Sequence, residues 1–411
     1  MIYHEIKSCR VCNNKKLETV LDLGVQALTG VFPCLDAPEV LRGPLQLCFC
    51  PECTLVQMKH AYDSSVLYGN NYGYRSGLNQ SMVRHLNSKA AYLTRLGKLK
   101  PGDWVLDIGS NDGTLLGLYA MEGLNRVGID PSAGKFKSYY KKEITVVNDF
   151  FSAEKYQSIS NNHKAVLVTS IAMFYDLDNP VEFACQIKSI LADDGLWHFE
   201  QSYLPAMLRT NSFDTVCHEH AEYYSLHSIQ AILQRAGMKI VDVSFNDING
   251  GSFAITACKA EYNYPVNISL LDWMFLNEKQ LGVCAPDSVI ALNKRIKINM
   301  ALLVDLLKRL SRAGKIVIGY GASTKGNVTL QYAGITQDLL PAIAEVNPDK
   351  FGHVTPGTRI PIISEAEAKM KKPDYYLVFP WHFRNDILAR EQEYLYSGGH
   401  FIFPMPEPEI V

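Results

Sequence analysis

The stretch from Trp104 to Asp130, WVLDIGSNDGTLLGLYAMEGLNRVGID, restricts the possible folds more than any other part of the chain. It reads as an apolar strand, a turn of glycine, asparagine and aspartate, a helix, and a second strand that ends on an acid about 20 residues later. Two parallel strands joined by a helix form a nucleotide-type βαβ unit. The sequence therefore predicts a Rossmann-like α/β domain whose ligand lies at the carboxyl ends of the strands.

The turn itself indicates the class of ligand. Its G-S-N-D-G spacing differs from the G-x-G-x-x-G of dinucleotide enzymes, and no G-K-[ST] follows. Asp107 ends the first strand, where it could reach a cationic or amino-bearing group, and Asp130 is placed to bind both hydroxyls of a ribose. These features favour S-adenosylmethionine over NAD, the alternative being a doubly wound domain without a cofactor. The predicted cofactor-binding residues are Asp107, Gly109, Asn111, Gly113 and Asp130, with Asp149 and Phe150 after the third strand, where adenine would lie.

Cysteines are concentrated at the start of the chain, where six of the ten precede residue 54. Two C-x-x-C knuckles, CRVC and CPEC, supply four thiolates, and four sulfur ligands close a tetrahedral sphere around zinc. Such a site leaves no position for water or substrate, so we expect a structural zinc ribbon; the alternative is a set of unmetallated thiols. Cys34 and Cys48 are expected to be spare, buried cysteines. The predicted zinc ligands are Cys9, Cys12, Cys50 and Cys53.

A second glycine-rich turn, GYGASTKGN, follows the predicted strand after the long amphipathic helix that begins near Asp287. Ser323, Lys325 and Asn327, together with backbone amides, could hold a diphosphate there. The alternative is an ordinary glycine-rich turn between strand and helix. Lys325 does not stand where a Walker motif requires its lysine, so a P-loop is excluded.

The segment CHEHAEYYS, residues 217–225, follows the predicted strand LWHFEQSY. It should therefore lie at the carboxyl end of the sheet, beside the cofactor, where ligands bind in such folds. We interpret it as an active-site loop; the alternative is a solvated polar turn. Tyr223 and Tyr224 are expected to pack in the core, and Ser225 to cap the next helix.

Composition excludes some classes of partner. The 411 residues are 47% hydrophobic, enough for more than one core, and 40 Lys and Arg stand against 42 Asp and Glu. Nucleic-acid binding would need a cationic surplus. No stretch approaches the roughly 20 apolar residues of a spanning helix, and the start, MIYHEIKSCR, lacks a signal-peptide pattern. We expect a cytoplasmic protein without nucleic-acid or membrane partners; its oligomeric state is not determined, and a monomer is plausible.

Several motifs, taken jointly, resemble a family of sugar C-methyltransferases that act on nucleotide-linked deoxysugars. They are the two knuckles, LDIGSNDGTLL, HEH, GASTKGN, NPDKFGHVTPGTRIPI and the segment around Trp381. The resemblance covers essentially the full chain. It implies an α/β protein with a small zinc-binding domain at 1–67, a Rossmann-like S-adenosylmethionine-dependent methyltransferase domain at 68–260, and a second Rossmann-like, substrate-binding domain at 261–411.

The resemblance also implies a substrate and roles for particular residues. The substrate would be a nucleoside-diphosphate 4-keto-6-deoxy sugar, held between the central and carboxy-terminal domains and methylated at carbon 3. His220 matches the second histidine of H-E-H and would be the base, with Glu219, His218 and Tyr74 as further catalytic candidates. The predicted substrate-binding residues are Tyr72, Ser323, Lys325, Asn327 and Arg359. For Tyr72 and Tyr74, in YGNNYGYRSG, the alternative is a flexible linker.

The chain departs from the family pattern at three positions. Cys217 stands where the family commonly has tyrosine, His382 where it often has asparagine, and Arg359 where it frequently has histidine. These departures could alter substrate preference, and the first removes a tyrosine that the family could use in its active site.

Methylation at carbon requires an activated nucleophile, because a ring C–H is not nucleophilic. A neighbouring ketone allows a base to form an enolate that attacks the sulfonium methyl in line. Two other functions remain open from the sequence: an O- or N-methyltransferase on a related sugar, and a non-catalytic zinc-ribbon adaptor. The Asp107, Gly109 and Asp130 set argues against the adaptor.

Overall fold

The computed structural model describes residues 2–67 and 74–411, so Tyr72 lies outside the described residues. None of the helices in these two ranges combines the length and apolar character that a bilayer-spanning segment needs.

The amino-terminal part is built on a small antiparallel sheet. Strand Arg42–Phe49 alternates buried and more exposed side chains over its first six residues, as expected for a sheet with one covered face, whereas bulges interrupt the alternation in Glu18–Ala27. The third strand pairs with a short fourth one next to the second cysteine knuckle, and residues 222–223 add a further strand from the middle of the chain. The elements are β1 Tyr3–Glu5, β2 Glu18–Ala27, β3 Arg42–Phe49, β4 Val56–Met58, β5 His60–Tyr62 and α1 Ser64–Leu67.

The central part contains a seven-stranded sheet flanked by helices. Its elements are α2 Gln80–Leu96, β6 Trp104–Ile108, α3 Thr114–Leu118, β7 Asn125–Ile129, β8 Ile144–Val147, α4 Ala153–Ile159, β9 Ala165–Ile171, α5 Pro180–Ile190, β10 Leu191–Ser202, α6 Leu204–Thr210, β11 Glu222–Tyr223, α7 Leu226–Arg235, β12 Met238–Asn246 and β13 Ser252–Lys259.

The order of this sheet is β12-β13-β10-β9-β6-β7-β8. Strands β6 to β10 are parallel, and β13 inserts antiparallel beside β10. The order reverses between β6 and β9, which opens a crevice at the carboxyl ends of these strands. The predicted βαβ unit is therefore confirmed. The segment ADDG, residues 192–195, forms an irregular start of β10, because the pairing with β9 shifts between Leu191 and Leu196.

Helix α7 has the predicted start, because Ser225 caps it. The Ser225 hydroxyl accepts from the Ser228 amide at 3.2 Å, and Ser228 Oγ accepts in return from the Ser225 amide at 3.0 Å. Gly237 follows the helix with φ +66°, a conformation that glycine adopts without strain. The 217–225 loop therefore ends at Ser225, where α7 begins.

The carboxy-terminal part has two long helices and a second doubly wound sheet. Its strand order, β16-β15-β14-β17-β18-β19, is parallel except for β19 and reverses between β14 and β17. The elements are α8 Ile268–Gln280, α9 Asp287–Arg312, β14 Val317–Tyr320, α10 Thr324–Ala333, β15 Ile343–Glu345, β16 Ile362–Ser364, α11 Glu365–Met370, β17 Tyr375–Val378, α12 Arg384–Arg390, α13 Gln392–Tyr396, β18 His400–Phe403 and β19 Glu409–Ile410.

The amino-terminal part packs on both of the others. Leu45 and Leu47 share one core with Leu303 of the carboxy-terminal part, whereas Cys9 and Cys50 belong to a core that includes the central sheet. Burial of these apolar side chains contributes roughly 25 cal/mol per Å² of apolar surface removed from water. The three parts are therefore joined by continuous apolar contact.

Candidate active site

A cavity of about 430 Å³ opens at the carboxyl ends of β6, β7, β9 and β10. It lies at the point where the order of the central sheet reverses, as predicted from the βαβ unit. Five of the predicted cofactor residues and one predicted catalytic residue line it: Asp107, Gly109, Asn111, Asp130, Phe150 and Tyr74.

The lining of this cavity is strongly acidic. Six carboxylate side chains contribute to it, and the described lining contains no lysine or arginine. Such a wall suits a ligand with positive charge and opposes a diphosphate. The acidic residues are Asp107, Asp130, Asp176, Asp178, Glu182 and Glu200.

Asp107 is buried at the end of β6 and accepts a hydrogen bond from the Thr169 hydroxyl at 2.6 Å. Burial raises the pKa of Asp107 to about 7, although the Thr169 contact works in the opposite direction. A cation near this carboxyl would favour its charged form. Asp107 therefore fits the expected contact to a cationic or amino-bearing group.

Asp130 holds the turn that follows β6. Its Oδ2 accepts from the Asn111 amide at 2.9 Å, and its Oδ1 accepts from the Ser132 amide at 2.6 Å. Gly109 has φ +74°, and a Cβ there would lie 2.8 Å from Met173 Cγ. The close approach of these chains explains why glycine occupies this position.

Two predicted cofactor residues do not line the cavity. A Cβ on Gly113 would lie 2.5 Å from the ring of Tyr140, so this glycine permits that packing. Asp149 is exposed and pairs with Lys155 at 2.6 Å, whereas its neighbour Phe150 is about half exposed and borders the cavity. Their binding roles stay predictions.

Tyr74 reaches the cavity because its backbone is fixed to the turn after β6. The Asn111 side chain donates to the Tyr74 carbonyl at 3.1 Å and accepts from the Ser76 amide at 2.9 Å. The Tyr74 side chain is 47% exposed and contributes to the lining. In these contacts, Asn111 positions the segment that carries Tyr74.

Glu200 is a cavity residue that sequence reasoning missed. It lies two residues before the end of β10, and its carboxylate accepts from His85 at 2.7 Å, Lys89 at 2.7 Å and Asn246 at 2.9 Å. Burial opposes the charged form, but these partners lower the pKa of Glu200 to about 2. An acid at the end of the apolar strand LWHFEQSY was the available signal, since such positions face the ligand crevice.

The four predicted zinc ligands converge. Their sulfur atoms lie within 4.8 Å of one another, with Cys9–Cys53 and Cys12–Cys50 each at 3.4 Å. Tetrahedral zinc with bonds of about 2.3 Å needs sulfur atoms about 3.8 Å apart, so the cluster fits the metal. Gln57 Nε2 donates to Cys9 Sγ at 3.3 Å, a contact typical of the groups that orient zinc ligands.

The other two cysteines of this region differ from one another. Cys48 is buried as expected. Cys34 is exposed, so the expectation that it is buried was wrong; it lies in a loop that bridges to His353 of the carboxy-terminal part.

The H-E-H run is divided by a turn at residues 218–219, which sends its two histidines in different directions. His218 is buried against the amino-terminal part, with its Nε2 3.3 Å from the Gly43 carbonyl and its ring 4.9 Å from that of Tyr62. Glu219 accepts from the Thr29 hydroxyl at 3.4 Å, and burial raises its pKa. Both side chains thus contact the strand–loop region around residues 29–43.

His220 faces the opposite way. Its Nδ1 donates to the Thr215 carbonyl at 2.8 Å, and its ring lies 4.3 Å from that of Tyr175. Burial, together with the charge of Lys325, lowers the pKa of His220 to about 4. None of residues 217–225 belongs to the described cavity lining, but Asp176 and Leu177, which follow Tyr175, do. His220 therefore does not line the cavity, but it contacts Tyr175, which directly precedes two lining residues.

The crevice of the second sheet faces His220. Lys325 lies in the first turn of α10, which follows β14, and the segment after β17 carries Trp381 and His382, so these residues flank the point where the strand order reverses. Trp381 Nε1 donates to Asp214 Oδ2 at 2.9 Å. Asp214 had no signal in the sequence, because its partner lies far along the chain.

The other predicted substrate residues have partners inside the protein. Ser323 caps α10 by accepting from the Gly326 amide at 3.0 Å, and Asn327 donates to the Thr29 carbonyl at 2.7 Å. The Arg359 guanidinium donates to the Leu35 carbonyl, away from the cavity. Their part in substrate binding stays a prediction.

Comparisons with known proteins cover the whole chain. Three family models match: a zinc binding domain at residues 9–68, a methyltransferase domain at 82–243, and a C-methyltransferase C-terminal domain at 247–406. The chain is 31% identical over 413 residues to "C-methyltransferase NovU" of Streptomyces niveus, a match that covers 100% of this chain and 98% of the relative.

Two solved methyltransferase structures match less than half of this chain. Magnesium protoporphyrin IX methyltransferase (ChlM) from Synechocystis PCC 6803 with bound SAH matches at 17% identity over 48% of this chain and 92% of its own, with a TM-score of 0.34. The CcbJ methyltransferase from Streptomyces caelestis matches at 12% identity over 43% of this chain and 90% of its own, with a TM-score of 0.34.

An acidic cavity at the reversal point of the central sheet, within the matched methyltransferase domain, defines an S-adenosylmethionine-dependent methyltransferase with a zinc-binding amino-terminal part. The full-length match and the matched carboxy-terminal domain are more specific. The chain belongs to the C-methyltransferase family.

Proposed function

We propose that this enzyme methylates carbon 3 of a nucleoside-diphosphate 4-keto-6-deoxy sugar through an enolate. The family resemblance supports the class of substrate, and the charge of the cavity supports the placement of the donor. We further propose that the sugar binds between the 217–220 loop and the crevice between β14 and β17. The boundaries after residues 67 and 260, and a cytoplasmic location, belong to the same proposal.

The contact of His220 Nδ1 with the Thr215 carbonyl is the observation that carries the proposal, because it fixes the tautomer of the ring. Because the Thr215 carbonyl can only accept, Nδ1 of the neutral ring bears the hydrogen and Nε2 has the free lone pair. A pKa lowered to about 4 keeps this lone pair available throughout the neutral range. His220 thus has the protonation state of a base, and Tyr175 supports one side of its ring.

Each proton and electron pair in the reaction has a defined place. S-adenosylmethionine supplies an electrophilic methyl group when bound. His220 Nε2 takes the proton from carbon 3 of the sugar, and the C–H electrons form the enolate with the adjacent ketone. Carbon 3 then attacks the methyl carbon while the methyl–sulfur bond breaks, and the electron pair of that bond stays on sulfur, so that S-adenosylhomocysteine leaves. The ketone is restored, and the imidazolium returns its proton to solvent.

Charges in the cleft are arranged to support this step. Lys325 stands on the side of the carboxy-terminal crevice and its charge is felt at His220, so an anion that developed between them would be stabilised. The six carboxylates of the donor cavity all come from the central part of the chain. We expect the anionic diphosphate to bind beside Lys325 rather than at these six carboxylates.

Product analysis tests the proposal. The purified enzyme is incubated with labelled S-adenosylmethionine and a panel of nucleotide-linked 4-keto-6-deoxy sugars, and the products are examined by mass spectrometry and NMR. We expect a methyl group bonded to carbon 3. A methyl group released by ether cleavage would instead identify an O-methyltransferase, and one bonded to nitrogen an N-methyltransferase.

A further inference from the structure

Residues 248–252 form a tight turn between β12 and β13 and close one side of the donor cavity. Ile248, Asn249 and Ser252 line that cavity. The backbone is in the left-handed region at three successive positions, with φ +57° at Asn249, +89° at Gly250 and +123° at Gly251. Glycine adopts positive φ without strain and asparagine does so more readily than most residues, so the residue types of this turn suit its backbone.

The carboxy-terminal part provides the contacts to one end of this turn. Lys325 Nζ donates to the Asn249 carbonyl at 3.0 Å. A Cβ on Gly250 would lie 2.9 Å from Trp381 Cη2, so the indole packs directly on the turn. Trp381 is itself held by Asp214, as described above. Two residues of the second crevice therefore contact the wall of the first cavity.

The central part holds the other end of the turn. Ser252 Oγ donates to the Ile248 carbonyl at 2.8 Å, and the Tyr203 amide donates to the Gly251 carbonyl at 3.1 Å. The Asn249 carbonyl thus depends on the ammonium of Lys325, whereas its neighbours are bonded within the central sheet. A hydrogen bond from a charged donor is stronger than one from a neutral donor.

We propose that Lys325 is a positioning residue for the methyl donor: from the carboxy-terminal part, it fixes the Asn249 carbonyl and thereby the shape of the donor cavity before any sugar binds. Burial lowers the pKa of Lys325, and the carboxylate of Asp214 opposes this shift. The proposal goes beyond the assignment of the sugar and rests only on the S-adenosylmethionine cavity.

Calorimetric titration of the full-length protein with S-adenosylmethionine and with S-adenosylhomocysteine, without a sugar, tests this role. Lys325→Met keeps the length of the side chain but removes its donors, and we expect both Kd values to rise about fivefold to tenfold, the effect of one charge-assisted hydrogen bond. Lys325→Arg retains a cationic donor and should restore at least half of the lost affinity on a logarithmic scale.

Lys350→Met is the matched control. Lys350 is a partly buried lysine of the same carboxy-terminal part, in a short 3-10 helix after β15, and its Nζ donates to the Ala322 carbonyl at 2.7 Å without touching the donor cavity. We expect its Kd values to stay within twofold of the wild type. If Lys325→Met does not fold, Lys325→Gln is measured in its place, with the same expected direction.

Wild-type Kd values in the folded Lys325→Met or Lys325→Gln protein would overturn the proposal, as would an equal loss in Lys350→Met. Neither result bears on the sugar, because no acceptor is present. Conversely, a methyl group found on oxygen or nitrogen would overturn the proposed reaction and leave this role of Lys325 intact.

Discussion

His220 donates its Nδ1 hydrogen to the carbonyl of Thr215 at 2.8 Å, so its Nε2 is the ring atom available to accept a proton. Both residues lie in the segment that leads from the central sheet into the zinc-bearing sheet. A single backbone carbonyl therefore determines which nitrogen is available for chemistry.

Removal of this imidazole should abolish proton abstraction. In His220→Ala we expect solvent deuterium exchange at carbon 3 of the sugar, measured by NMR without the methyl donor, to fall by about 10²- to 10⁴-fold. His163→Ala, which removes an exposed histidine, is the control and should exchange at the wild-type rate. Exchange at the wild-type rate in His220→Ala would refute the assignment of the base.

The acid limb of the exchange reaction should lie unusually low. Protonation of His220 removes its lone pair, and its pKa is lowered to about 4, so the rate should stay constant as the pH falls from 8 to about 5 and decrease only below that. Circular dichroism at each pH verifies that the protein is folded. An acid limb near pH 6.5, the pKa of an ordinary histidine, would contradict the lowering of the His220 pKa by burial.

Binding of S-adenosylmethionine should depend on pH through Asp107. The pKa of this carboxyl is raised to about 7 by burial, and a cationic ligand favours the charged form, so binding releases a proton at acidic pH. We expect the Kd to rise about tenfold per pH unit below about 7 and to be constant above it. Calorimetry at several pH values measures this slope.

Asp107→Asn supplies the comparison for that experiment. The amide does not titrate, so its Kd should be higher at pH 8 and nearly independent of pH. Asp305→Asn changes an exposed carboxylate on α9 and should retain the wild-type slope. A slope that survives in Asp107→Asn would mean that another group releases the proton.

Loss of zinc should destabilise the central sheet as well as the knuckles. Cys9, Cys50 and Cys53 belong to the same apolar core as Trp197 and Phe199 of β10. We expect Cys50→Ser to lose zinc, measured by atomic absorption, and to lower the Tm of the whole protein, whereas Cys34→Ser, at an exposed position, should change neither. An unchanged Tm in zinc-free Cys50→Ser would contradict this coupling.

Glu278 should be among the acids most important for stability. It is fully buried on α8. Its carboxylate accepts from the Tyr203 hydroxyl, the Leu226 amide, and the backbone amide and ring Nδ1 of His227, at 2.6 to 3.1 Å. Glu278→Ala leaves these donors buried and unpaired at the start of α7, and we expect a loss of about 3–5 kcal/mol in urea unfolding. Glu393→Ala, at an exposed position, should have little effect.

Local sequence signals predicted most of the central sheet and part of the cavity. Asp107, Gly109 and Asp130 stand at strand ends, where the direction of the chain determines which side of the sheet they face. Ser225 marked the start of α7 because capping restricts residue type. The C-x-x-C knuckles likewise predicted a cluster that the fold brings together.

Contacts between distant parts of the chain left no comparable signal. Asp214 meets Trp381, Asn327 meets Thr29, and Lys325 meets Asn249, each pair being joined by tertiary packing alone. Gly113 shows the limit of a motif: its position suggested cofactor contact, yet its neighbour is the ring of Tyr140. Cys34 was misjudged because cysteine is usually buried, whereas the bridge to His353 keeps it at the surface.

The pairing of β11 with β4 has a consequence for biosynthesis. Glu222 and Tyr223 form the edge of the sheet that begins at β2, so this sheet cannot be complete when its first three strands leave the ribosome. During translation, the unpaired edge of β4 is exposed until those two residues emerge. A nascent chain halted before Glu222 should therefore be more susceptible to proteases and aggregation than one halted after α7.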